Sequence, residues 1–141
     1  MKIRQYGFLS LLLALISFGT EAASPLLQLI LPDKQEIFLD EAALAALPQA
    51  EFETATPWTV GVHRYRGPTL ASVLAAHHVA DASLLDVVPL TLVRYQDDKP
   101  LTRRNKGPLW LLIPLSAHPE MDVSTIHNNM VWQTIRIEVV K

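Results

Sequence analysis

The chain contains no cysteine, and no other feature limits its possible folds as much. No disulfide can staple it, so its stability must come from packing alone. No thiolate is on offer for a soft metal or for nucleophilic attack. With 141 residues, half of them hydrophobic, one domain is the expectation.

Part of that hydrophobicity lies at the N-terminus. Lys2 and Arg4 precede the apolar run FLSLLLALISF over 8–18, and the small residues of GTEAASP follow. A positive start, a short apolar middle and a small-residue exit spell a secretory signal peptide over 1–22, with Thr20 and Ala22 at the two small positions before the cut. The run is short of the roughly 20 apolar residues that a span requires. An uncleaved anchor is the competing reading. Cleavage leaves a domain over 23–141, about 120 residues, enough to bury one core without staples. Export to the periplasm is the expected localisation. The formal net charge is −2, and this acidity argues against a nucleic-acid partner.

Downstream, LLQLIL and EIFL flank Pro32-Asp33-Lys34, which predicts a β-hairpin over 26–31 and 36–39. Asp40 is a good helix N-cap before the Ala/Leu run that Pro48 ends. The segment AEFETATPWTVGVHRYRG reads as extended structure broken near Pro57. A second helix follows, with Pro68 in its first turn and Leu70, Val73, Leu74 and His77 along one face. LLDVVPLTLVRY reads as a strand, with Pro89 marking an edge or a bulge. DDKPL is a turn and LWLLIPL a buried strand. The segment 116–129 is a loop with a helical turn. The C-terminal residues alternate, with Ile135, Ile137 and Val139 on one face and Thr134, Arg136 and Glu138 on the other. Short strands with two short helices make the class α+β rather than a doubly wound sheet.

The common catalytic patterns are missing from this sequence. None of the five histidines (His63, His77, His78, His118, His127) has an i, i+4 partner of the kind a helical zinc site uses. Ser116, His118 and Asp122 lie close in sequence, but a triad is defined by geometry, and no Gly-x-Ser-x-Gly elbow accompanies them. Five glycines leave no glycine-rich phosphate cradle. Three segments remain, each with a tryptophan: TATPWTVGVHRYRGPTL, TRRNKGPLWLLIP and MVWQTIRIEVV. Tryptophans in strands most often serve the core. The arginines and the lysine beside the two Gly-Pro turns are either solvated or an anion-binding edge, since guanidinium forks suit phosphate.

Taken together, these segments resemble the molybdopterin-binding oxidoreductase domain with its sulfite-oxidase-like fold, over most of 26–140. KGPLW..IP and VWQTIRIEVV look closest to small exported proteins that consist of this domain alone. The resemblance implies the fold. In the enzymes, a cysteine thiolate four residues before a tryptophan ligates molybdenum, and counting back from Trp58 gives Thr54. A neutral hydroxyl is a poor substitute for a soft sulfur. The expectation is therefore a non-catalytic relative without its cofactor: an exported sensory or accessory module that binds a small anionic ligand or a membrane-bound or periplasmic partner. Its candidate pocket comprises Trp58, His63, Arg64, Arg103, Arg104 and Lys106, with Trp110 as a second wall. The competing expectations are an oxidoreductase, or a subunit of one, that holds molybdopterin without a thiolate, and an interaction protein with no small ligand, which would present a flat apolar patch.

Overall fold

The computed structural model describes residues 23–79 and 90–140. The signal-peptide reading and the 84–89 part of the predicted strand, Pro89 included, lie outside them. The fold is α+β, and the described residues form three sheets and three short α-helices.

The N-terminal hairpin forms where the turn residues place it. β1 (Leu27–Ile30) and β2 (Glu36–Leu39) pair antiparallel, with Leu27 opposite Leu39. Asp40 then caps α1 (Glu41–Ala45), its carboxylate accepting from Ala43 N–H at 2.8 Å. The helix is only five residues long, shorter than the run before Pro48 suggests. Its Glu41 carboxylate accepts from Arg94 Nε at 2.5 Å and from the Tyr95 hydroxyl at 3.0 Å.

A long hairpin follows. β3 (Gln49–Ala55) and β4 (Val62–Pro68) pair in register across seven residues each, joined by the loop 56–61 that carries Pro57 and Trp58. α2 (Leu70–Ala76) buries Leu70, Val73 and Leu74, the face that its spacing predicts. Pro68 does not enter this helix. It is the last residue of β4, and Thr69 is the N-cap, accepting from Ser72 N–H at 3.0 Å. A hydroxyl that meets a free helix N–H fixes the start better than a proline that only lacks one.

β5 (Thr91–Val93) pairs antiparallel with β8 (Trp110–Leu112). Between them, β6 (Tyr95–Gln96) and β7 (Lys99–Pro100) form a tight hairpin on the β4 edge. Both turn residues, Asp97 and Asp98, are left-handed (φ 49° and 62°), the geometry that matches strand twist in two-residue hairpins. A 3-10 turn over Arg103–Asn105 precedes Lys106, also left-handed, and a cis Gly107–Pro108 peptide leads into β8.

The β5–β8 ribbon separates two cores. Leu92 faces the first, with Leu27, Leu29, Leu44, Val73 and Leu109. Val93 and Trp110 face the second, with Tyr65, Leu112, Ile113 and Met130. Successive side chains in a strand point to opposite sides, so a ribbon covered on both faces must be apolar throughout. This accounts for the unbroken LWLLIP run.

The 116–129 loop contains a 3-10 turn over Pro119–Met121 and the one-turn α3 (Ser124–His127). β9 (Arg136–Glu138) pairs parallel with β1. The predicted alternation holds from Arg136 onward and fails before it: Thr134 is buried and Ile135 is 59% exposed. Gln133 is left-handed (φ 55°), and Thr134 bonds backward to Val131 and Leu109 rather than along a sheet. No helix among the described residues is long and apolar enough to cross a membrane.

Candidate functional site

Thr54, the penultimate residue of β3, is fully buried. Its hydroxyl accepts from Ser116 N–H at 2.9 Å and donates to Ala55 C=O at 2.9 Å, with Ser116 Oγ at 3.2 Å. Ser116 Oγ in turn accepts from Ala55 N–H at 3.1 Å. A hydroxyl has one proton and two lone pairs, so Thr54 is saturated. It ties the end of β3 to the segment after β8. A neutral, buried and fully bonded hydroxyl would not serve as the soft thiolate ligand that a molybdenum cofactor takes.

Beside this tie lies an open groove of about 480 Å³, lined by Ala55, Thr56 and Pro57 on one side and by Leu115, Ser116, Asp122 and His127, with Pro119, on the other. Two chain segments far apart in sequence thus supply its walls. Thr56 is fixed from behind, sharing a 2.7 Å hydroxyl contact with Thr59 and accepting from Trp58 N–H at 3.3 Å. His127 Nε2 meets Asp122 Oδ1 at 2.7 Å. The lining holds one carboxylate and no lysine or arginine.

The serine, histidine and aspartate close in sequence do not assemble as a triad. Asp122 takes His127, His118 pairs with Glu120 at 3.2 Å, and Ser116 is held by Thr54 and Ala55. His127 escapes sequence reading because its partner lies five residues back across a turn, a spacing that no motif records.

Trp58 stands edge-on to Trp132, His127 and Trp110, with ring centroids 5.3, 5.8 and 5.9 Å away. Trp110 is fully buried, while Trp132 is 42% exposed. Lys106 lies over the Trp110 ring at 5.4 Å, a cation–π contact. His63 and Arg64 are turned toward carboxylates. His63 Nδ1 meets Asp97 Oδ2 at 2.7 Å, and Arg64 pairs with Asp98. Arg103 and Arg104 stand exposed on the 3-10 turn. Arg103 borders a different groove, with Phe38, Pro108 and Ile135.

Neither of these two grooves gathers the six predicted pocket residues. The groove beside Thr54 takes none of them, and the other takes Arg103 alone. Trp58 and Lys106 meet at Trp110, His63 reaches the same aromatic cluster through Tyr65 (6.4 Å), and the arginines point elsewhere. For His63 and Arg64 the reason is electrostatic: Asp97 and Asp98 satisfy locally the charges that a ligand was expected to meet.

Tyr65 is the remaining unusual group. It is fully buried, and its hydroxyl has no hydrogen-bond partner among the described residues. Burial pushes the phenol's pKa up, and the nearby Thr59 and Thr56 hydroxyls offset this only in part.

No family model matches the chain, and no curated protein matches it.

Proposed function

We propose that the chain is an exported, non-catalytic binding module with a sulfite-oxidase-like fold, and that the groove between 55–57 and 115–127 is its binding site. The observation that carries this reading is Thr54. Where the enzymes it resembles place a thiolate, this chain has a saturated, buried hydroxyl that braces one end of a groove. On this reading the groove is what remains of the cofactor cavity, and binding is retained while the reaction is lost, because in such enzymes the cofactor carries the chemistry. The groove has the size of a small-molecule site. With its one carboxylate paired to His127 and no lysine or arginine in the described lining, the groove favours a neutral ligand over the anionic one that the basic turns suggest.

A protein partner is the second reading. It is favoured by Val60 at 95% exposure and Val62 at 62% beside the half-buried Trp58, and by Trp132 against that ring. Apolar side chains exposed together mark contact surfaces.

The test is cofactor content. The chain is expressed in a host that makes molybdopterin, purified from the exported fraction and assayed for molybdenum and pterin per chain. Near-zero values for both are expected, and a stoichiometric cofactor overturns the proposal. Thermal-shift screening with neutral, cationic and anionic small molecules then follows, against a Ser116→Trp variant that fills the groove. Stabilisation of the wild type alone supports the site, and equal shifts in both proteins refute it.

A further inference from the structure

His63 makes two hydrogen bonds that a neutral histidine cannot make together. Nδ1 lies 2.7 Å from Asp97 Oδ2, and Nε2 lies 2.9 Å from the Val60 carbonyl oxygen. A carboxylate and a carbonyl both only accept. A neutral imidazole carries one N–H, and only the imidazolium carries two. The geometry therefore describes a protonated ring, held between the tip of the loop 56–61 and the β6–β7 turn.

We propose that protonated His63 is a latch that anchors the 56–61 loop to the β6–β7 turn and so holds one wall of the groove, and that the latch opens as pH rises. This regulatory role rests on the groove being the binding site; the latch does not. Beyond the 2.7 Å hydroxyl contact of Thr59 with Thr56, few other contacts hold the tip of the loop. Val60 is 95% exposed, and the Thr59 N–H to Thr56 C=O bond is long, at 3.4 Å. Gly61 is left-handed (φ 75°), and a Cβ there would meet nothing within 4 Å, so the loop has a free joint beside the latch. The same loop carries Thr56 and Pro57, which line the groove, and Trp58, which packs on His127.

The groups facing His63 agree with this. From the β6–β7 turn comes Asp97, which also accepts from Arg64 N–H at 3.0 Å. From β4 come Arg64, whose guanidinium is turned to Asp98 and Glu51, and the Tyr65 phenol. In β3 the neighbour across the ladder is Thr54, which does not titrate. The hydrogen bond to Asp97 raises the imidazole pKa above its ordinary value, and the Val60 carbonyl adds to this against the opposing effect of burial. Deprotonation leaves one N–H for two acceptors, so one end of the latch is lost.

The experiment is an NMR pH titration of the full chain without ligand. His63 ring signals are followed together with the backbone amides of Thr59, Val60 and Gly61 at the loop tip and of Thr56 and Ser116 at the groove wall. Both sets of amides are expected to move with the His63 midpoint, which lies above that of an unfolded histidine. Once the intrinsic rise of amide exchange with pH is divided out, loop-tip amides are about 3- to 10-fold less protected above the midpoint, the factor that one net hydrogen bond supplies. Asp97→Asn lowers the midpoint. His63→Gln abolishes the response, whereas His77→Gln, at the C-terminal cap of α2, leaves it in place. Loop amides that stay flat through the His63 titration overturn the latch. Loop amides that respond without the groove wall overturn its role in the groove. Because no ligand is used, neither result depends on whether the binding reading stands.

Discussion

Removing one oxygen from the core should make this protein more stable. Tyr65 is buried at 0% exposure, with its ring edge-on to Trp110 at 5.7 Å and tilted against Phe52 at 6.0 Å. Its hydroxyl makes no well-formed hydrogen bond among the described residues, and the Thr59 and Thr56 hydroxyls beside it offset its burial only in part. A buried hydroxyl without a hydrogen bond costs about 1–3 kcal/mol. Tyr65→Phe removes that cost, keeps both aromatic contacts and leaves a space smaller than a methyl group. The cavity penalty takes back part of the gain, so the expected net effect is about 1 kcal/mol of stabilisation. For a domain of about 120 residues this raises Tm by roughly 3–6 °C. Urea denaturation followed by tryptophan fluorescence should show a higher midpoint at an unchanged m-value. A variant less stable than wild type by about 0.5 kcal/mol or more would mean that the hydroxyl is bonded, refuting the reasoning.

Gly67→Ala should do the opposite. A Cβ there would lie 2.0 Å from the Leu92 carbonyl oxygen, so β4 cannot keep its approach to β5, and a loss of about 3 kcal/mol or more is expected in the same denaturation assay. Thr54→Ala strips the acceptor from Ser116 N–H and should cost about 1–3 kcal/mol, with Thr54→Ser restoring most of it. Asp40→Ala removes the cap on α1 and should cost about 1 kcal/mol, visible as a lower urea midpoint. The His63–Asp97 pair sets a stability window. The raised His63 pKa gives a contribution that is full below the unfolded imidazole value of about 6.5 and is lost as pH rises through the folded value. Asp97, lowered first by the Arg64 N–H bond, contributes above about 3.9 and loses this as pH falls. Denaturation midpoints should therefore decline on both sides, and His63→Gln should abolish the alkaline decline.

Local chemistry wrote most of the secondary structure into the sequence. The 26–39 hairpin, the Asp40 cap, the Leu70–Val73–Leu74 face and the Asp97–Asp98 turn each depend on residues within a few positions of one another. What the sequence could not convey was pairing at a distance. Nothing near Trp110 says that its strand lies between two cores, and nothing near Ile137 says that its partner is β1. The same limit decided the site. Arg64 and His63 read as free charges because Asp97 and Asp98 lie more than thirty positions away. Thr54 and Ser116, sixty-two positions apart, meet only in the fold.

The parallel pairing of β1 and β9 has a mechanical consequence. The strands run side by side, so pulling the N-terminal flank of β1 and the C-terminal flank of β9 apart slides one along the other. The Gln28 N–H to Ile135 C=O and Val139 N–H to Ile30 C=O bonds, 2.9 Å each, and the ladder between them would then bear the load together instead of opening in turn. The Lys34–Glu138 ion pair braces the same seam. Under tension this small domain would behave as a shear clamp, giving way abruptly and only at high force.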